Sequence, residues 1–185
     1  MSDAALILPG FFGKLPTTGD FVTRGLPASF VGAWDRWICR HLVHRFSQGS
    51  IKEHPVLRFL LGSEAFGPMT SPMTGVVMAS ADRASRPFPL TIAAAPPVAA
   101  SDIVTAAGEW FGSLEAAGIS ACEGQLDGDG LAARLTSLPF PAIAAKGDLV
   151  RRMVFWVRGS KPIEVNPDEP ELTLRELLCE DLRSG

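Results

Sequence analysis

The chain contains no tyrosine, only three histidines and only three cysteines. Without tyrosine it lacks one common catalytic acid and one phosphorylation target. His41, His44 and His54 fall in one short stretch, so general bases are scarce elsewhere. Cys39, Cys122 and Cys179 are odd in number and far apart, which argues against a disulfide framework and for reduced thiols. No uninterrupted apolar run approaches the roughly 20 residues of a membrane span. The opening carries Asp3 before a very short apolar run, the wrong flank and length for a secretory leader, so a cytoplasmic protein is expected. Concentrated positive charge is also missing. The formal net charge is −3 with the basic residues dispersed, which argues against nucleic acid and anionic membrane as partners.

Catalytic signatures are absent as well: there is no Gly-x-Ser-x-Gly elbow, no Cys-x-x-Cys and no His-Glu-x-x-His. Gly13-Lys14 invites a phosphate-loop reading, but Leu8 stands where the first glycine is needed and Leu15 where Ser or Thr should follow. Cys39, His41 and His44 do not assemble as metal ligands, because only the two histidines share a helix face and His54 lies beyond Gly49. Asp127-Gly128-Asp129-Gly130 is spaced like a calcium loop yet lacks the third donor and the bidentate glutamate, so it reads as a turn before a helix. No metal, no cofactor and no catalytic residue is expected.

What the chain does have is 185 residues, 46% of them hydrophobic and 20% charged, enough for one domain over 1–185 with a substantial core. Its most organised stretch runs from Gly10 to Trp37. Gly10, Gly13, Gly19, Gly25, Pro16 and Pro27 force repeated turns there, while Phe11, Phe12, Phe21, Phe30, Trp34 and Trp37 supply bulky apolar groups. Lys14, Asp20 and Arg24 sit between the aromatics, as in a loop pinned to the core that presents a charged surface.

Periodicity organises the rest. Ala5 to Phe12, Val56 to Leu61, Thr74 to Ala81, Phe88 to Ala94 and Leu149 to Val157 read as strands. The third and fourth are too close for a parallel crossover, so they predict an antiparallel hairpin with Asp82, Arg83 and Arg86 at its tip. Pro87 and Pro89 suggest that its second strand begins at an edge or bulge. Helices are predicted from Pro27 to Phe46, from Ser101 or Asp102 to Ala117, over Leu131 to Leu138 and over Glu171 to Leu182. About five strands and four helices give an α/β fold on a mixed, largely antiparallel sheet covered on both faces. At the hairpin tip, Asp82 is expected to satisfy one arginine and pin the turn; the alternative is an arginine pair that reads phosphate or carboxylate. Asp20 and Arg24 pose the same choice. The two charged motifs are expected to meet, partly buried against Phe21 and Phe88.

Gly10-Phe11-Phe12-Gly13-Lys14-Leu15-Pro16, Gly19-Asp20-Phe21-Val22, Arg24 and Leu26-Pro27, followed by Phe30, Trp34, Asp35 and Trp37, resemble the opening of the TagF (ImpM) family associated with type VI secretion. The similarity continues at Arg58-Phe59, over Gly75 to Met78, and through Asp82-Arg83, Arg86 and Phe88-Pro89-Leu90-Thr91. It departs from the family pattern at Ala79-Ser80-Ala81 and thins toward Phe155 to Gly159 and Leu174 to Leu178.

The resemblance implies a single three-layer α/β/α sandwich, longin-like. It further implies a non-enzymatic cytoplasmic protein that represses assembly of the secretion apparatus after translation, through a forkhead-associated scaffold protein. Lys14, Asp20, Phe21, Arg24, Asp82, Arg83 and Arg86 are the partner-binding candidates. Two alternatives stand beside this: a phosphatase-type hydrolase acting on a phosphorylated component, and a platform for a nucleotide-binding switch protein. Self-association is compatible with all three.

Overall fold

The computed structural model describes residues 5–67 and 71–180. The strands are β1 (Gly10–Gly13), β2 (Val22–Arg24), β3 (Leu57–Leu61), β4 (Met73–Met78), β5 (Leu90–Ala94), β6 (Met153–Trp156) and β7 (Ile163–Glu164). The helices are α1 (Ala28–His41), α2 (Val43–Phe46), α3 (Ile103–Ala106), α4 (Gly108–Cys122), α5 (Gly128–Thr136) and α6 (Glu171–Glu180). Asp181 and Leu182, at the end of the predicted last helix, lie outside the described residues.

All seven strands form one sheet in the order β2-β1-β5-β4-β3-β6-β7, and every pairing is antiparallel. The expectation of about five strands in a mixed, largely antiparallel sheet is therefore corrected in number to seven, and the antiparallel character extends to every pairing. The two that escaped prediction, β2 and β7, are the sheet's edges. They are three and two residues long, too short for a period of two to emerge, and they lie within runs broken by glycine and proline. The β4–β5 hairpin forms as expected, but β5 is interior, between β1 and β4. Its prolines create no gap in the ladder because both precede Leu90, the first strand residue.

β3, β4 and β5 are buried along their whole length, which is why they read as continuous apolar runs without alternation. Successive side chains point to opposite faces. Phe12, Phe59, Val77, Ala93 and Phe155 enter one apolar cluster with Phe30, Trp34 and Trp37 of α1 and Leu174 and Leu177 of α6. Phe11, Leu60, Val76, Ile92 and Trp156 enter a second with Phe111 and Leu114 of α4 and Leu131 and Leu135 of α5.

Two predicted helices are interrupted. Leu42, at φ −111°, separates α1 from α2, and Ala107 separates α3 from α4. Asp102 does not cap α3; its Oδ2 accepts from the Lys146 amide at 2.9 Å.

Trp34 is the hub of the first cluster. Its ring lies 4.7 Å from Phe59 and 5.3 Å from Trp37, and its Nε1 donates to Thr91 Oγ1 at 2.8 Å inside the core. Thr91→Val keeps the shape but leaves the buried indole N–H unpaired. The expected loss is about 1–3 kcal/mol with an unchanged denaturant slope. Equilibrium unfolding in urea measures it, and an unchanged midpoint would count against the role given to this bond.

Candidate functional site

The glycine-rich opening and the β4–β5 tip meet at one end of the sheet. β1 ends at Gly13, whose φ is +144°; a Cβ there would lie 2.1 Å from the Pro89 carbonyl oxygen. Only glycine permits both this backbone and this approach to the strand next door. The chain then turns inward at Lys14 and buries Leu15 completely. Thr18 closes the turn, its amide bonding the Leu15 carbonyl at 3.0 Å and its hydroxyl the Asp20 carbonyl at 3.1 Å.

From the other side, Asp82 closes the hairpin tip. Its Oδ1 accepts from the amides of Ala84 at 2.9 Å and Arg86 at 3.0 Å, and its Oδ2 from Arg86 Nε at 2.7 Å. Lys14 Nζ approaches the same Oδ2 at 3.1 Å, with the carboxylate sealed from solvent. The Arg83 amide donates to the Thr18 carbonyl at 2.7 Å, Arg83 Nη2 to that of Thr17 at 2.6 Å, and Arg86 Nη2 to that of Gly19 at 2.8 Å. Ser80, within the segment that departs from the family pattern, still donates through Oγ to the Lys14 carbonyl at 2.7 Å.

An aromatic knot holds the same junction. Phe21 meets Phe88 edge-on at 4.7 Å, Phe12 lies 5.6 Å from Phe88, and the Lys14 ammonium stands 5.1 Å over the Phe21 ring. The two motifs therefore do meet against Phe21 and Phe88, as expected. Asp82, Lys14 and Arg86 are tied to one another, which is the pinning arrangement. Asp20 and Arg24 are not partners. Asp20 receives the amide of Phe21 at 2.7 Å, while Arg24 Nη1 reaches across to Asp129 Oδ1 on α5 at 2.6 Å.

The outward face comprises Asp20, Arg24, Arg83, Arg86 and a Phe21 that is 48% exposed. Nothing here resembles a nucleophile paired with a base: the buried carboxylate is fully engaged by donors and the lysine by the carboxylate. Among the described residues no three His, Cys, Asp or Glu side chains converge to hold a metal ion. Asp127 caps α5 by accepting from the Gly130 amide at 2.7 Å, and His41 Nδ1 lies 2.7 Å from Glu171 Oε1.

Two charge clusters escaped the sequence reading. Glu115 on α4 is buried and accepts from Arg58 Nε at 2.6 Å and from Arg158 Nη2 at 2.6 Å, with Arg58 lying 5.5 Å from the Phe111 ring centre. The partners are separated by 57 and 43 residues. The one available signal was a glutamate on the apolar stripe of a helix, which needs a cation. The second cluster is a cavity of about 320 Å³ beside α1, lined by Arg36, Arg40 and Arg152.

The family model of the TagF N-terminal domain, type VI secretion system-associated, matches residues 10–138, and the chain belongs to that family. The chain is also similar to a solved structure, that of PA0076 from Pseudomonas aeruginosa PAO1. The two share 30% identity at a TM-score of 0.64, over 82% of this chain and 83% of the other. No curated protein matches it. Among the described residues no helix is long and apolar enough to cross a membrane.

Burial works against ionisation of Asp82. The Arg86 amide, the Lys14 ammonium, the Ala84 amide and the Arg86 guanidinium more than compensate, and hold its pKa down to about 2. A carboxyl depressed in the folded state stabilises fully above its unfolded value of about 4, and that contribution fades as pH falls toward about 2. Asp82→Asn should therefore lower the denaturant midpoint at neutral pH and flatten the fall in stability across this acid window. Urea titrations at several pH values test this; parallel pH profiles for the two proteins would refute it.

Proposed function

We propose that this chain is a non-enzymatic, cytoplasmic repressor of type VI secretion that acts after translation by binding a forkhead-associated scaffold protein of the system. In this reading the domain is a three-layer α/β/α platform of longin-like kind, and the stitched tip is its contact surface. Membership of the TagF family supports the link to type VI secretion. The observation that carries the binding role is the division of labour at the tip. Lys14 and Asp82 are paired and shielded, while Phe21, Asp20, Arg24, Arg83 and Arg86 stay exposed, the arginines held in place by bonds to Asp129, Thr17, Asp82 and Gly19. A half-exposed aromatic ringed by arginines is the composition of a protein-binding hot spot.

Deleting the gene should raise secretion activity with transcript levels of the apparatus unchanged. In a pull-down from cells making the apparatus, the tagged chain should retain the scaffold protein. Phe21→Glu combined with Arg83→Gln should cut that retention at least tenfold while leaving the circular dichroism spectrum intact. An unchanged secretion level, or one explained by transcription, would reject the repressor reading. Turnover of a generic phosphate ester with divalent metal by the pure protein would favour the hydrolase instead.

A further inference from the structure

We infer that the cavity beside α1 is a second binding site, which takes a phosphorylated side chain on an extended segment of a protein partner. The inference rests on the reading that the chain works by protein contact, and it concerns a surface distinct from the stitched tip. Arg36 and Arg40 are one turn apart on α1 and both exposed. Neither pairs with a carboxylate among the described residues, although Arg45 on the next helix and Arg152 across the cavity do. Two like charges at this spacing repel, so the bare helix face carries an electrostatic cost that a bound anion would relieve. Arg152, just ahead of β6, brings a third guanidinium to the same cavity, and its contact with Asp168 is a loose 3.5 Å.

Glu64 and Asp168 also line the cavity, so three guanidinium groups face two carboxylates. The net excess is a single positive charge, so the preference for phosphate rests on geometry: Arg36 and Arg40 have no carboxylate partner among the described residues, and guanidinium forks match phosphate oxygens in pairs. The floor is fixed. Trp37 is 6% exposed and its Nε1 donates to the Pro167 carbonyl at 2.9 Å, so the arginines project from a rigid base.

The shape argues for a segment of chain over a small free anion. A second cavity, of about 560 Å³, lies along the same helix toward Arg45, Glu171 and Arg175, and both cavities are lined by Arg40 and His41. The two cavities adjoin at Arg40 and His41, and their combined length along α1 exceeds what a lone phosphate fills.

The test is a titration of the isotopically labelled full chain with a glycine-serine peptide carrying one phosphothreonine, followed by nuclear magnetic resonance. The Trp37 indole N–H signal should move while those of Trp110 and Trp156 stay in place. The same peptide with threonine or glutamate at that position should bind at least tenfold more weakly. Arg36→Gln combined with Arg40→Gln should weaken phosphopeptide binding at least tenfold, and Arg134→Gln, on the exposed side of α5, should not. Since Arg36 and Arg40 are exposed, the double variant should keep the wild-type tryptophan fluorescence. An unmoved Trp37 signal, equal binding of the glutamate peptide or of a single-stranded oligonucleotide, or full binding by the double variant would overturn the inference. The readout uses a peptide and not the scaffold protein, so failure here would leave the repressor reading standing, and failure of the pull-down would leave this site measurable.

Discussion

A carboxylate with no access to water must have its lone pairs met by the protein, and Asp82 meets that demand from two directions at once. The amides of Ala84 and Arg86 come from its own turn, and the ammonium of Lys14 from a loop that follows a different strand. Arg83 and Arg86 extend the same logic outward by spending their guanidinium donors on the carbonyls of Thr17 and Gly19. The glycines of the opening matter because they let these backbones approach, and the phenylalanines because they shield the ionic contacts from water. What reaches the surface is positioned by groups that do not.

The sheet beneath gives the junction its rigidity. Its three central strands are buried on both sides, with α1 and α6 contributing to one apolar cluster and α4 and α5 to the other. Polar groups inside this layer are individually satisfied. Thr91 receives the Trp34 indole, Thr74 donates to the Phe59 carbonyl at 2.7 Å, and Arg58 finds Glu115. The last pair illustrates how α4 is fixed in register. Its one buried carboxylate is gripped by arginines on either side of the β3–β6 pairing, a contact whose loss would strand a buried cation.

Much of this was legible in advance, for identifiable reasons. The α1 stripe of Phe30, Trp34 and Trp37 has helical spacing, and the β4–β5 connection is too short for anything but a hairpin. The meeting of the two charged motifs was legible because each combined turn formers with opposite charges. β2 and β7 were not, since edge strands this short contribute pairing without apolar alternation. The salt bridge weighed between Arg24 and the nearer Asp20 does not form, because the fold carries Asp129 to Arg24 from 105 residues away. The cavity beside α1 was not legible, because Arg152 joins Arg36 and Arg40 only through β6, which enters the sheet late in the chain.

That late entry has a consequence for synthesis. The family match ends at residue 138, yet Phe155 of β6 stacks on Trp37 at 5.6 Å, and β6 supplies the outer neighbour of β3. A nascent chain that has just released the matched portion from the ribosome would present β3 as an open ladder beside an uncovered tryptophan face. Such a surface invites chaperones or self-adhesion. The matched portion therefore lacks the strand that pairs β3 and the ring that covers Trp37, and β6 supplies both.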